Sequence, residues 1–182
     1  MPTYVAMLRS VNVSGRNRLA MDQLRALVAA AGFADVATYV QSGNVVLSGR
    51  GSPRSVGLAI AEQMTSDLGW SVPVLVRTKA ELEAVLELNP FVRRGVDPKT
   101  LHVTFLADEP DPQAADALNA GHDRSGDDRV MVVDREAYLH CPGGYGRTKL
   151  NNTYLERRLG GLATTRNWRT VTALAGMAGI EV

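Results

Sequence analysis

The alternation of apolar and polar positions lays out a mixed chain with two similar halves. Thr3–Leu8 (TYVAML) is a short run with β-branched and aromatic residues, and it reads as a buried first strand. Met21, Leu24, Leu27 and Val28 then recur at helical spacing, and Gly32 is placed to end that helix. Val36–Val40 and Val45–Leu47 read as two strands joined by Gln41-Ser42-Gly43-Asn44, a tight-turn composition. Ser52-Pro53 opens a second helix with Val56, Ile60 and Met64 on one face and Gly69 at its end. Val72–Val76 is the fourth strand, so the order is βαββαβ, that of a ferredoxin-like fold.

Lys79–Leu88 carries Leu82, Val85, Leu86 and Leu88 and predicts a connecting helix, stopped at Asn89-Pro90 because the residue before proline disfavours helical geometry. The pattern then partly repeats. Leu101–Leu106 is a strand, Pro112–Ala120 a short helix, Arg129–Val133 and Ala137–Cys141 a hairpin turned at Asp134-Arg135-Glu136, and Leu150–Leu159 a helix. The second half is thus read as a related βαββα unit, with Trp168–Met177 as an extra C-terminal helix. The predicted architecture is α+β, with a subdomain over 1–78 packed tightly on a second over 79–182, a diverged duplication.

Composition narrows the class. The 182 residues are 45% hydrophobic and 21% charged, as in a globular protein with a core large enough to need no staple. Cys141 is the only cysteine, so no internal disulfide forms. Met1–Val13 does not read as a signal peptide, and no stretch approaches the roughly 20 apolar residues of a spanning helix, so the expected location is cytoplasmic, off the membrane. The net charge of +1 provides no global attraction to nucleic acid, and aromatic residues at 5% leave few stacking platforms. Charge is nonetheless segregated. Gly143–Arg169 holds six basic residues against Glu156 alone, whereas Ala107–Glu136 holds nine acids against three arginines.

Three polar loops exceed what a packed core requires. Arg9–Arg18 (RSVNVSGRNR) follows the first strand, with Asn12, Gly15 and Asn17 suited to loops that expose backbone N–H groups and three arginines as an anion-seeking rim. Pro142–Leu150 (PGGYGRTKL) leads into a helix marked by Asn151, Asn152 and Thr153, and its glycines beside Arg147, Thr148 and Lys149 suit a phosphate or carboxylate cradle. It is not a P-loop, because no glycine precedes Lys149 at the required place. In Thr164-Thr165-Arg166-Asn167-Trp168, a threonine is placed to N-cap the last helix, which would set Arg166 against the helix dipole. Each loop also has a plainer interpretation as a solvated turn, and Gln41–Asn44 needs no function beyond its hairpin. His102, His122 and His140 lack metal-ligand spacing, and His140 and Cys141, adjacent on a strand, point to opposite faces. No metal or cofactor is implied, and no catalytic residue is assigned.

LRSVNVSGRNRLAM, TYVQSGNVVL, Asn89-Pro90-Phe91, VTFL at Val103–Leu106, PGGYGRTKL and TTRNWRTV together resemble, in order, the motifs of the bacterial domain-of-unknown-function 1697 family, from about Thr3 to Gly176. Ser10 departs from that pattern, which has glycine there. The resemblance implies an α+β fold of ferredoxin-like type and no established activity. The expected function is binding of an anionic small molecule, with Arg9, Arg147, Lys149 and Arg166 as charge donors, Asn12, Asn17 and Asn167 as orienting amides, and Thr148 and Thr165 beside them. The alternatives are an enzyme acting on a phosphorylated or carboxylated substrate through Lys149 or Tyr145, and an interaction or homo-oligomerisation module whose acidic and basic segments meet. Nucleic acid is the less favoured form of anion.

Overall fold

The computed structural model describes residues 1–121 and 126–182. The first half runs β1 (Thr3–Leu8), α1 (Met21–Ala30), β2 (Ala34–Tyr39), β3 (Asn44–Ser48), α2 (Pro53–Leu68) and β4 (Val74–Thr78). The strands form an antiparallel sheet in the order β2-β3-β1-β4, the ferredoxin-like arrangement. β1 lies between two partners, with Ala6 opposite Val45 on one side and Val76 on the other. A central strand is covered on both faces, which is why Tyr4–Leu8 is an unbroken buried run rather than an alternating one. α2 begins as its sequence implies: Pro53 takes the first position, the Ser52 hydroxyl accepts from the Ser55 N–H, and Gly69 ends the helix at φ 78°.

The second half runs β5 (Leu101–Leu106), α5 (Pro112–Asn119), β6 (Arg129–Val133), β7 (Glu136–His140), α6 (Asn152–Leu159) and β8 (Ala163–Asn167), and its sheet has the matching order β6-β7-β5-β8. It is therefore a complete βαββαβ unit rather than βαββα. The segment expected to be a capping loop is β8, paired to β5 with Thr104 opposite Thr165 and Val103 opposite Arg166. Its sequence, ATTRN, hides the strand because both faces carry polar groups. Arg166 consequently does not oppose a helix dipole, and the residue that caps the last helix is Asn167, whose Oδ1 accepts from the Thr170 N–H at 2.8 Å. α6 starts two residues later than its apolar pattern suggests, capped by Asn151.

Each sheet's last strand leads straight into a ten-residue helix, α3 (Lys79–Leu88) after β4 and α7 (Trp168–Met177) after β8, with a short α4 (Pro90–Arg93) between the halves. Thr78 and Glu81 form a capping box at α3: the Thr78 hydroxyl accepts from the Glu81 N–H and Glu81 Oε2 accepts from the Thr78 N–H. The compact units are Met1–Ala84 with Thr172–Val182, and Val85–Val171, so their boundaries fall inside α3 and α7. In the first unit α1 and α2 cover a core of Ala6, Leu8, Leu24, Leu47 and Ile60; in the second, Leu106, Leu139, Cys141, Leu155 and Leu159 form the equivalent core. The opposite face of each sheet is buried too, and each contains one buried arginine: Arg77 opposite Val5 and Arg166 opposite Val103.

α2 lies unusually close to its sheet. A Cβ on Gly57 would stand 2.7 Å from the Val74 carbonyl oxygen, a backbone atom that cannot step aside, whereas a Cβ on Gly176 of α7 meets nothing within 4 Å. Gly57→Ala is expected to destabilise by about 1–3 kcal/mol. Gly176→Ala is expected to stabilise by about 0.5–1 kcal/mol through helix propensity. Opposite shifts in thermal melting of the two variants would check the close approach; equal shifts would refute it.

Candidate functional site

Two places combine polar groups with local backbone features that packing does not demand. The first is the loop between β1 and α1. Ser10, Asn12, Ser14 and Asn17 all have positive φ, between 51° and 66°, and Gly15 joins them at 73°. Asparagine tolerates this conformation because its short amide bonds locally. The Asn12 amide donates to the carbonyls of Leu19 (2.9 Å) and Gln41 (2.7 Å) while its oxygen accepts from the Leu19 N–H. Asn17 donates to the Ser10 carbonyl at 2.8 Å. These two amides thus shape the loop. Arg9 is half-buried and reaches the Ser10 hydroxyl at 3.4 Å. The Gln41–Asn44 turn packs beneath: a Cβ on Gly43 would lie 2.6 Å from Val11 Cγ2.

Beside this loop lies an open depression of about 550 Å³ lined by Asn12, Gly15, Arg18, Leu19, Ala20, Gln23 and Gln41. It opens at the start of α1. Ala20 occupies the N-cap position and supplies no side-chain bond, and the first intrahelical bond is Leu24 N–H to the Ala20 carbonyl. The N–H groups of Met21, Asp22 and Gln23 therefore have no partner within the helix. Asp22 is paired with Arg25, and Arg18 is exposed with its guanidinium close to Gly15. Arg18 belongs to the arginine rim read from the sequence, and Gln41 to the turn given no function there; Gln23 is new, although the absence of a Ser, Thr, Asp or Asn before Met21 is visible in the sequence.

The second place is in the second unit, and it follows from a difference between the repeats. α2 has sixteen residues but its counterpart α6 only eight, and the glycine-rich segment 141–151 that precedes α6 is longer than the 49–52 connection that precedes α2. In the first half Tyr4, Ala6 and Val76 lie in the core beneath α2. By strand register their counterparts are His102, Thr104 and Thr165. The Thr165 hydroxyl donates to Asn152 Oδ1 at 2.7 Å, so the 2.7 Å contact between the Thr104 and Thr165 hydroxyls has Thr104 as donor. The Tyr145 ring, on a 3₁₀ turn over Tyr145–Arg147, stacks on His102 at 4.8 Å. Burial pushes the Tyr145 hydroxyl up from its ordinary pKa, opposed by the Thr165 hydroxyl, the Asn152 backbone and the Arg166 charge. Arg166 donates to the Thr164 hydroxyl and the Thr165 carbonyl, and burial lowers it to about 10. His102 Nδ1 is buried with no hydrogen bond of normal geometry, although the Thr100 backbone acts on the ring.

Of the remaining residues expected to bind, Thr148 is buried, donating to Asp128 at 2.6 Å and accepting from the Leu150 N–H, and Asn167 is taken up by its helix cap. Arg147 and Lys149 are exposed on the loop. His140 packs on the Phe91 ring at 5.8 Å while Cys141 sits in the helix-side core, so the two do point apart. His122 lies outside the described residues. Among the described residues no three His, Cys, Asp or Glu side chains gather as a metal site, and no helix is long and apolar enough to cross a membrane.

These features define an α+β protein of two ferredoxin-like repeats in which polar loops, not a recognisable catalytic constellation, mark the candidate sites. Residues 1–138 match the family described as "Protein of unknown function (DUF1697)", and the chain belongs to that family. The last two motifs noted in the sequence lie beyond that match. A solved structure of a conserved bacterial protein, SP0830 from Streptococcus pneumoniae, superposes with a TM-score of 0.73 at 20% identity, over 97% of this chain and 98% of that one, and so shares its fold. No functionally curated protein matches the sequence.

Two substitutions test this geometry. Ser10 sits at φ 66°, which a glycine adopts freely, so Ser10→Gly is expected to stabilise by about 0.5–1 kcal/mol in a thermal melt. Burial holds the His102 pKa below its ordinary 6.5, with the Thr100 backbone opposing. As pH falls the unfolded chain is protonated first, so this contribution is full above about 6.5 and declines beneath it. His102→Gln should lessen the loss of stability between about pH 7.5 and 5.5 in urea unfolding; an unchanged loss would show that His102 is readily protonated in the folded protein.

Proposed function

We propose that this is a cytoplasmic binding protein for a phosphate- or carboxylate-bearing small molecule, taken at the start of α1. The observation that carries the proposal is the depression at an uncapped helix N-terminus with Arg18 at its side. Free N–H groups and the positive end of the helix dipole favour an anion, and an arginine adds a paired set of charged donors. Gln23 and Gln41 line the same depression and supply amides for the uncharged part of the ligand. In this reading Asn12 and Asn17 frame the site rather than touch the ligand, and Arg9 stands behind them. A Ser, Thr, Asp or Asn at position 20 would have satisfied one of these N–H groups, so its absence favours a ligand over a purely structural helix start.

Inorganic phosphate, pyrophosphate, citrate and a set of mononucleotides are expected to include at least one that raises the melting temperature. A ligand at 100 times its Kd adds about 2.7 kcal/mol. Arg18→Ala removes only an exposed side chain and should weaken that ligand by about tenfold or more. Added salt should weaken it too, because the site is open to solvent. If no anion in the set moves the melting temperature, or Arg18→Ala leaves the shift intact, the proposal is wrong.

A further inference from the structure

α6 has eight residues where α2 has sixteen, and the helix-side positions of the β5–β8 pair hold a connected polar group where the first repeat has core residues. Thr104 donates to Thr165, Thr165 donates to Asn152, and Tyr145 closes over His102. A repeat selected only for stability has a simpler answer in its own first half, where Tyr4, Ala6 and Val76 fill the same positions. The polar group also contains His102 Nδ1, buried with no hydrogen bond of normal geometry. Native structures mostly pair such atoms, so His102 Nδ1 is a place where local polar chemistry differs from simple packing.

The surroundings indicate the kind of molecule. Tyr145, His102, Thr165 and Asn152 are each half-buried, hence within reach of solvent, and Arg147 and Lys149 stand exposed on the loop that carries Tyr145. From Pro142 to Leu155 the chain contains no acidic residue. Among the described residues, Asp128 bonds to this loop, its Oδ2 accepting from the Thr148 hydroxyl. Glycines at 143, 144 and 146 leave the space around the loop open, since a Cβ on any of them would meet nothing within 4 Å.

We infer that this cluster is a second binding site, for the oxyanion of a small molecule, in which Arg147 and Lys149 supply charge and the Tyr145 hydroxyl exchanges its Thr165 contact for the anion, the His102 ring stacked on it sensing the change. The site stands on different residues from those at the start of α1. A phosphate and a carboxylate share the chemistry it recognises, and the experiment separates them.

The full chain has three histidines, so its ring carbon–proton NMR signals are few and the His102 signal is assigned by its loss in His102→Gln. Titration with inorganic phosphate in one arm and acetate in the other is expected to shift that signal saturably in at least one arm. Tyr145→Phe should raise the apparent Kd about tenfold, the effect of losing one hydrogen bond to a charged group. The double variant Arg147→Gln, Lys149→Gln should do the same, and its exposed positions keep the test open if Tyr145→Phe fails to fold. Arg18→Ala should leave the His102 titration unchanged. A His102 signal unmoved by both anions, or moved identically in the loop variants, overturns the inference. An Arg18-dependent rise in melting temperature would survive that outcome, so the two sites stand or fall separately.

Discussion

Everything in this molecule follows from how a four-stranded antiparallel sheet covers its helix-side face. β1 and β5 are central strands, and the side chains on their helix-side face depend on the helices above them for cover. Where a helix runs the whole width, as the sixteen residues of α2 do, the positions beneath it must be apolar and closely fitted. Gly57 shows how close the fit is: the helix approaches the Val74 carbonyl with no room for a single methyl group. Where the helix is cut to eight residues, as in α6, the same strand positions are released from that demand. The repeat then supports polar chemistry at a place where its twin supports only packing.

That constraint also explains which parts of the fold were legible in the sequence. β1 reads as one apolar run because it is covered on both faces, and α2 is announced by Ser52-Pro53 and closed by Gly69. β8 was invisible for the converse reason. Thr165 and Asn167 face the helix side, where Thr165 meets the polar start of α6, and Thr164 and Arg166 face the other, so no apolar alternation marks the strand. Its two threonines were the remaining signal, since β-branched residues favour strands. The duplication was half visible for the same reason: the missing sixth element of the second unit is the strand that lost its apolar face.

The candidate sites were legible as segments and not as side chains. Composition located the two loops, because glycine, asparagine and arginine in such density are not needed to join a strand to a helix. What composition does not encode is which polar atoms the loop uses on itself. Asn12 and Asn17 close their own turn, Thr148 ties the loop to Asp128, and Asn167 caps α7. Each satisfies backbone or side-chain groups that would otherwise be left open, a requirement that takes precedence over ligand contacts. Among the described residues, Arg18, Arg147 and Lys149 stand exposed, and α1 begins without a side-chain cap. Their availability is a consequence of what their neighbours have already bonded.

Arg166 illustrates how the repeat separates scaffold from site. Taken alone it looks functional: a buried guanidinium lowered to about 10, beside a tyrosine, in a polar motif. Its counterpart by register is Arg77, also buried, on the strand before the capping box of α3. The first half has a full-length α2 and core residues in place of the polar cluster, yet it holds an arginine at the same position. A buried arginine there is therefore a property of the repeat, carried on the sheet face opposite the cover helix. Arg166 influences Tyr145 because the second repeat opened beside it. The difference that needs a functional explanation is on the helix side, in His102, Thr104, Tyr145 and Thr165, where one repeat is packed with apolar groups and the other is not.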